Sequence, residues 1–211
     1  MIVIFDLDGT LVDTYPVIRK TLIEVFKLHL PNLKYDEAFL ESFFGPTLND
    51  SFSRLTNSDK EKEFLIKEYR RINKKYYENE LKLFTGAKEV LEKLSKKYKL
   101  AILSNRIREL VDVALRNTEI EKYFDLVLGV DNLKAPKPDP DGINQILKSL
   151  GEGKAVFVGD ALTDVKTAKN AKIVSVGVTW ALTTKEEFEG EETNYIVSSF
   201  EELINILEGL N

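Results

Sequence analysis

Apolar residues fall along this chain in two alternating regimes. Short, continuously apolar runs at Ile2–Phe5, Leu100–Ser104, Phe124–Val130, Ala155–Gly159, Ile173–Thr179 and Tyr195–Ser198 have the length and β-branched content of strands. Most are apolar throughout rather than at alternate positions, which suits a sheet covered on both faces. Between them the spacing changes to that of helices. Ala87, Val90, Leu91 and Leu94 share one face, as do Leu110, Val111, Ala114 and Leu115. So do Ile143, Ile146, Leu147 and Leu150, and Phe200, Leu203, Ile204 and Leu207. Strand and helix alternate from Lys99 onward. This predicts an α/β, Rossmann-like core: a doubly wound parallel sheet with right-handed crossovers. Ligands of such sheets bind at the carboxyl ends of the strands.

The block from about Thr14 to Thr85 breaks the alternation and shows no strand pattern. Ile18, Leu22, Val25 and Phe26 mark one helix face, and the charged segment Ser58–Glu80 reads as a long helix with Phe64, Ile72 and Tyr76 among its apolar positions. Pro31, Gly45-Pro46 and Asn57-Ser58 punctuate the block. The expected organisation is a core built from residues 1–13 and 86–211, with a small all-helical insertion over 14–85. Hinges are expected near Val12–Pro16 and Leu83–Gly86.

Composition narrows the chemistry. A chain of 211 residues with 43% hydrophobic and 31% charged residues suits one α/β domain plus an insertion. There is no cysteine, which removes disulfides, thiolate metal sites and cysteine nucleophiles. The one histidine, His29, lies in an amphipathic stretch and reads as structural or solvated, which removes a Ser-His-Asp triad. A net charge of −5 argues against nucleic acid as a partner. The first residues enter the apolar strand without a basic leader, and no apolar run reaches membrane-spanning length. A cytoplasmic enzyme, monomer or homodimer, without a membrane partner, is the expectation.

The chemistry lies where the strands end. Ile2–Phe5 runs into Asp6-Leu7-Asp8-Gly9-Thr10, with Asp13 close behind. Carboxylates so close together repel one another, and a cation is the natural compensation. Asp6 and Asp8 are two apart, so at a strand end both are expected to project the same way. Gly9 permits a sharp turn and leaves its amide open to an anion. The second run ends in Ser104-Asn105-Arg106, a lysine is held in Pro136-Lys137-Pro138, and Ala155–Gly159 ends in Asp160, with Asp164 one helical turn on.

These four segments, in this order, resemble the four motifs of the haloacid dehalogenase superfamily, and the insertion resembles the helical cap of its phosphoglycolate phosphatase-like branch. The resemblance implies a Mg²⁺-dependent phosphatase that hydrolyses a small phosphorylated metabolite, phosphoglycolate-like, through an aspartyl-phosphate. Asp6 is then the nucleophile and Asp8 the general acid and base. Asp8 also separates phosphatases from the dehalogenases, which lack a carboxylate there. Mg²⁺ is expected on Asp6, the carbonyl of Asp8 and Asp160, with Asp164 acting through water or by holding Lys137. Lys137, Ser104, Asn105, Gly9 and Thr10 surround the phosphoryl group. Gly45, Pro46 and Thr47 resemble the substrate-specificity loop of the cap. The branch often carries Thr-Asn-Lys at the second motif, so Arg106 alters a possible substrate contact. Trp180, after a strand, either lines the entrance or packs.

An inorganic pyrophosphatase or a sugar-phosphate mutase would use the same core. A phosphoaspartate receiver domain shares the sheet, a Ser/Thr and a lysine, but needs neither Asp8 nor the helical insertion. A dinucleotide-binding enzyme would want a G-x-G-x-x-G after the first strand, which is absent.

Overall fold

The computed structural model describes residues 1–44 and 46–210. Strand β1 (Ile2–Phe5) is followed by a tight turn and a two-residue strand β2 (Val12–Asp13). Four helices come next: α1 (Tyr15–His29), α2 (Glu37–Glu41), α3 (Leu48–Ser53) and α4 (Asp59–Glu80). Strand β3 (Lys82–Leu83) then pairs antiparallel with β2. The remainder alternates: α5 (Ala87–Leu94), β4 (Lys99–Leu103), α6 (Arg108–Asn117), β5 (Leu126–Leu128), α7 (Asp141–Leu150), β6 (Ala155–Gly159), α8 (Leu162–Asn170), β7 (Val174–Val178), α9 (Lys185–Gly190), β8 (Tyr195–Val197) and α10 (Phe200–Leu210). Two compact units result, Met1–Asp13 with the chain from Lys82 onward, and Thr14–Leu81.

The first unit is a doubly wound α/β fold. Its six strands lie in the order β5-β4-β1-β6-β7-β8, and every neighbouring pair is parallel. Alternate residues of the central strands, Ile2, Ile4, Ala101, Leu103, Ala155 and Phe157, pack with Ile143 and Ile146 of α7 and Ala168 of α8. The intervening residues Val3, Phe5, Leu100, Ile102, Val156 and Val158 are buried as well. Both faces are therefore covered, which is why these strands carry no polar alternation. A buried phenylalanine such as Phe157 is worth about 3–5 kcal/mol against alanine. The strand order reverses at β1: the chain fills β4 and β5 on one side, then β6, β7 and β8 on the other. The carboxyl ends of β1, β4 and β6 are thus neighbours at the switch point, where such sheets bind ligands.

The second unit is helical. Pro16 opens the first turn of α1, and the side chains of Asp36, Thr47 and Ser58 cap the amino ends of α2, α3 and α4. Its core joins Ile18, Leu22, Val25 and Phe26 of α1 to Phe43, Phe52, Leu65, Tyr69 and Ile72. Edge-to-face contacts run from Phe26 to Phe43 (5.7 Å), on to Phe52 (5.8 Å) and to Tyr69 (5.7 Å). Inside it, Asn73 of α4 donates to the Thr21 hydroxyl of α1 at 3.2 Å. His29 meets Glu68 at 3.1 Å and the edge of Phe64.

Three expectations need correction. Phe124–Val130 contains only a three-residue strand, Leu126–Leu128; a 3₁₀ turn at Glu121–Tyr123 ends just before the segment and another, Val130–Asn132, takes its last residue. A strand, β3, does occur within 14–85, too short for any periodicity to show. Phe64 is 48% exposed, since the buried face of α4 runs through Leu65, Tyr69, Ile72, Asn73 and Tyr77 instead.

Candidate active site

β1 delivers Asp6 to the switch point. The Asp6 amide donates to the carbonyl of Val158 at 2.9 Å, extending the ladder by one rung, and its Oδ1 accepts from the Leu7 amide at 2.7 Å. Its other oxygen faces Lys137 Nζ at 2.9 Å. The chain then turns: the amides of Leu11 and Val12 both return to the carbonyl of Leu7. Gly9 stands at φ 77° within the turn, and a Cβ there would lie 2.1 Å from Asp160 Oδ2. Only glycine lets this turn lie against Asp160.

β6 ends beside β1 and presents Asp160, whose Oδ1 accepts from the Thr10 hydroxyl at 2.8 Å. Asp164, in the first turn of α8, accepts from the Ala161 amide at 3.0 Å through Oδ2 and from Lys137 Nζ at 2.6 Å through Oδ1. Asp6, Asp160 and Asp164 each place a carboxylate oxygen within 4.8 Å of the others', and all three are buried. Gly159 makes room for this group, since a Cβ there would meet Asp164 Oδ2 at 2.3 Å.

β4 supplies the third side. The Ser104 hydroxyl accepts from the Arg106 amide at 3.1 Å. Asn105 clamps the backbone of Lys137: its Oδ1 accepts from the Lys137 amide at 2.8 Å, and its Nδ2 donates to the Lys137 carbonyl at 3.3 Å. Lys137 thus arrives from a loop far in sequence, yet its main chain is held from β4 and its ammonium by two aspartates. That side chain is 4% exposed.

Arg106 reaches back to the turn after β1. Its Nε donates to Asp8 Oδ2 at 2.8 Å and its Nη2 to Asp8 Oδ1 at 3.0 Å, a bidentate pair with side chains 15% and 18% exposed. Asp6 and Asp8 thus have different cationic partners, Lys137 and Arg106, while the charge of Asp8 still bears on Asp6.

Trp180 packs against the end of the sheet's helical layer. Its ring lies 4.4 Å from that of Phe200, centroid to centroid, and its Nε1 donates to the Thr10 carbonyl at 3.0 Å. In the helical unit, Thr47 caps α3: its hydroxyl accepts from the Asp50 amide and donates to Asp50 Oδ2 at 2.6 Å. Pro46 is exposed, and Gly45 lies outside the described residues.

Four carboxylates, Asp6, Asp8, Asp160 and Asp164, thus surround two cations, Lys137 and Arg106, and the imbalance shows in their acidities. Burial pushes Asp6 up, Lys137 pulls it back, and Asp164 and Asp8 raise it again, leaving it at about 7. Asp160 is held well above the carboxylate range by burial and then by Asp6 and Asp164. Burial lowers Lys137, but Asp164 and Asp6 outweigh it, and its ammonium is held more firmly than that of a free lysine. Buried oxygen donors with uncompensated negative charge are a donor set suited to a hard divalent cation.

Comparisons with known proteins bear on this arrangement. The profile of the haloacid dehalogenase-like hydrolase family matches residues 3–178. A pyrophosphatase PpaX of Listeria monocytogenes is 30% identical over 209 residues, 97% of this chain and 94% of that protein. Among solved structures, a haloacid dehalogenase-like family hydrolase of Streptococcus pneumoniae superposes with a TM-score of 0.89 at 27% identity, covering 98% of this chain and 97% of that one. A protein of Clostridium acetobutylicum described as a predicted phosphatase gives 0.84 at 31% identity, covering 98% of each chain.

Proposed function

The chain belongs to the haloacid dehalogenase-like hydrolases, and from that membership we propose that it is a Mg²⁺-dependent phosphatase of small phosphorylated metabolites, working through an aspartyl-phosphate. The observation that carries this reading is the buried trio Asp6, Asp160 and Asp164 around Lys137, at the carboxyl ends of adjacent strands.

In this mechanism Asp6 attacks phosphorus in line. The bond from phosphorus to the leaving oxygen breaks as the aspartyl-phosphate forms. Asp8 gives a proton to that oxygen, then takes one from the water that hydrolyses the intermediate, and inorganic phosphate departs. Lys137 offsets charge on the phosphoryl oxygens. Gly9 and Thr10, with Ser104 and Asn105, shape the same pocket. Asp6 and Asp160, with the Asp8 carbonyl, would hold the metal, and Asp164 would hold Lys137. Bound Mg²⁺ supplies positive charge that keeps Asp6 a carboxylate and offsets its repulsion of the substrate. An Asp6 at about 7 without that charge would be half protonated near neutrality.

The helical unit carries Gly45, Pro46 and Thr47, which we assign to substrate choice rather than to phosphoryl chemistry. Phosphoglycolate is the first substrate to test. Inorganic pyrophosphate is the second, favoured by the name of the 30%-identical relative.

The test is phosphate release from a panel of phosphorylated metabolites, with Mg²⁺ and with chelator. Asp6→Asn should abolish it while circular dichroism stays that of the wild type. Activity of the variant within about tenfold of wild type would remove Asp6 from the nucleophile's role.

A further inference from the structure

Trp180 has no task in the phosphatase mechanism, yet it is bonded to the turn that follows β1. Its place is set by the sheet. The amide and the hydroxyl of Thr179 both donate to the Val197 carbonyl, at 3.0 and 3.3 Å, which continues the pairing of β7 with β8 by one residue. The indole that follows meets the ring of Phe84 at 6.4 Å and that of Phe200 at 4.4 Å, and its Nε1 donates to the Thr10 carbonyl at 3.0 Å. An indole has this one donor and no acceptor, so the bond is its whole polar contribution. Elsewhere the turn is held by main chain: the Gly9 amide donates to the Val12 carbonyl at 2.9 Å, and the Phe84 amide to the Leu11 carbonyl at 3.0 Å. At Thr10 a distant side chain grips it instead.

We propose that Trp180 is a positioning residue for the metal site: by fixing the Thr10 peptide it keeps the Thr10 hydroxyl on Asp160, and so sets the direction in which Asp160 presents its oxygens to a divalent cation. This rests on the reading of Asp6 and Asp160 as the groups that hold the metal. The link is short. The Thr10 hydroxyl donates to Asp160 Oδ1 at 2.8 Å, while Oδ2 lies against Gly9, where a Cβ would come within 2.1 Å. Thr10 is buried, so without the indole its carbonyl has no solvent to turn to, and the peptide is free to rotate toward another donor. The hydroxyl moves with the peptide, and Asp160 loses the bond that aims it. Ligand carboxylates owe their orientation to such outer hydrogen bonds, whose loss costs roughly 10- to 100-fold in metal affinity. The ring contacts with Phe84 and Phe200 hold the indole in place, but the nitrogen alone reaches the turn.

The test is calorimetric titration with Mg²⁺ of wild type, Trp180→Phe, Thr10→Val, the double variant and Phe200→Leu, with thermal unfolding in chelator to read the fold. Trp180→Phe keeps an aromatic ring and loses the donor, and Thr10→Val keeps the shape and loses the hydroxyl. Each should raise the Mg²⁺ Kd about tenfold. The double variant should also stay near tenfold rather than about a hundredfold, because both substitutions cut one link. Phe200→Leu disturbs the packing of the indole but not its donor, so it should lower the unfolding midpoint and leave the Mg²⁺ Kd within about twofold. A Trp180→Phe Kd within about twofold of wild type, a multiplicative double variant, or a Phe200→Leu loss as large as that of Trp180→Phe would each overturn the assignment and leave the metal reading standing. Coupling between two equilibria is reciprocal, so Mg²⁺ must in turn stabilise the indole bond by the same factor. Hydrogen exchange at Nε1 of the wild type should therefore slow about tenfold in Mg²⁺ relative to chelator. An equal rate in both overturns the proposal even where the phenylalanine variant does not fold. Wild-type protein that binds no Mg²⁺ overturns the metal reading and the Trp180 assignment together.

Discussion

Asp160→Asn should make the metal-free protein more stable and a worse enzyme. The amide has the shape of the carboxylate and keeps an oxygen for the Thr10 hydroxyl, so the turn at Gly9 is undisturbed. What disappears is charge. The three carboxylates approach within 4.8 Å, and at that spacing each pair repels by about 3 kcal/mol at an effective dielectric near 20. Lys137 pulls on Asp160 less than Asp6 and Asp164 push. The wild type softens this repulsion by taking up protons, which limits the net gain to about 1–3 kcal/mol at pH 8. The pH dependence has a definite sign. Asp160 and Asp6 are acids whose folded values lie above the unfolded value of 3.8, with Asp6 at about 7. Below about pH 4 both states hold these protons and nothing is lost. As pH rises toward the folded values, the unfolded chain sheds its protons first and stability falls. Asparagine cannot titrate, so the variant's decline should be shallower. Thermal unfolding in chelator at pH 5.5 and pH 8 reads this directly, at about 2–4 °C per kcal/mol for a chain of this size. Mg²⁺ should raise the wild-type midpoint more at pH 8 than at pH 5.5, and the variant's hardly at all. A variant less stable than wild type in chelator at both pH values, or one with the full Mg²⁺ response, would sink the reasoning.

Gly9→Ala should lose at least about 1–3 kcal/mol from the backbone conformation alone, and more from the 2.1 Å approach to Asp160. Thermal unfolding and a Mg²⁺ titration check it, and wild-type metal affinity in the variant would mean that the turn does not press on Asp160. Asn105→Ala should cut kcat by up to about 10²-fold by loosening Lys137, with little change in KM. An unchanged kcat with a raised KM would instead make Asn105 a substrate contact.

The sheet was legible because burial on both faces leaves an unbroken apolar run, as at Ile2–Phe5 and Ala155–Gly159. Asp6, Asp160 and Lys137 were legible because they stand at strand ends or between prolines. Which acid takes which cation was not. The pairing of Asp8 with Arg106 spans 98 positions, and nothing local to either residue announces it. The Asn105 clamp on Lys137 is equally non-local, since an asparagine after a strand reads the same whether it serves a ligand or a neighbouring loop. Thr10 was expected to face an anion, and its hydroxyl donates to Asp160. On α4 the error had another source. A helix so rich in charge offers few apolar positions, and Phe64 fits the period about as well as Leu65 until the partner helix chooses between them.

Trp180 is the chain's only tryptophan, and its indole nitrogen is bonded to the Thr10 carbonyl, one residue from Gly9 and one hydroxyl from Asp160. Indole emission responds to exactly such a bond and to the packing of its ring, here against Phe200. Any shift of the turn when a cation or an anion settles among the acids therefore alters the light this one side chain emits. No second tryptophan dilutes the signal, so occupancy of the site can be followed in real time, in unlabelled protein, with substrates that give no coloured product.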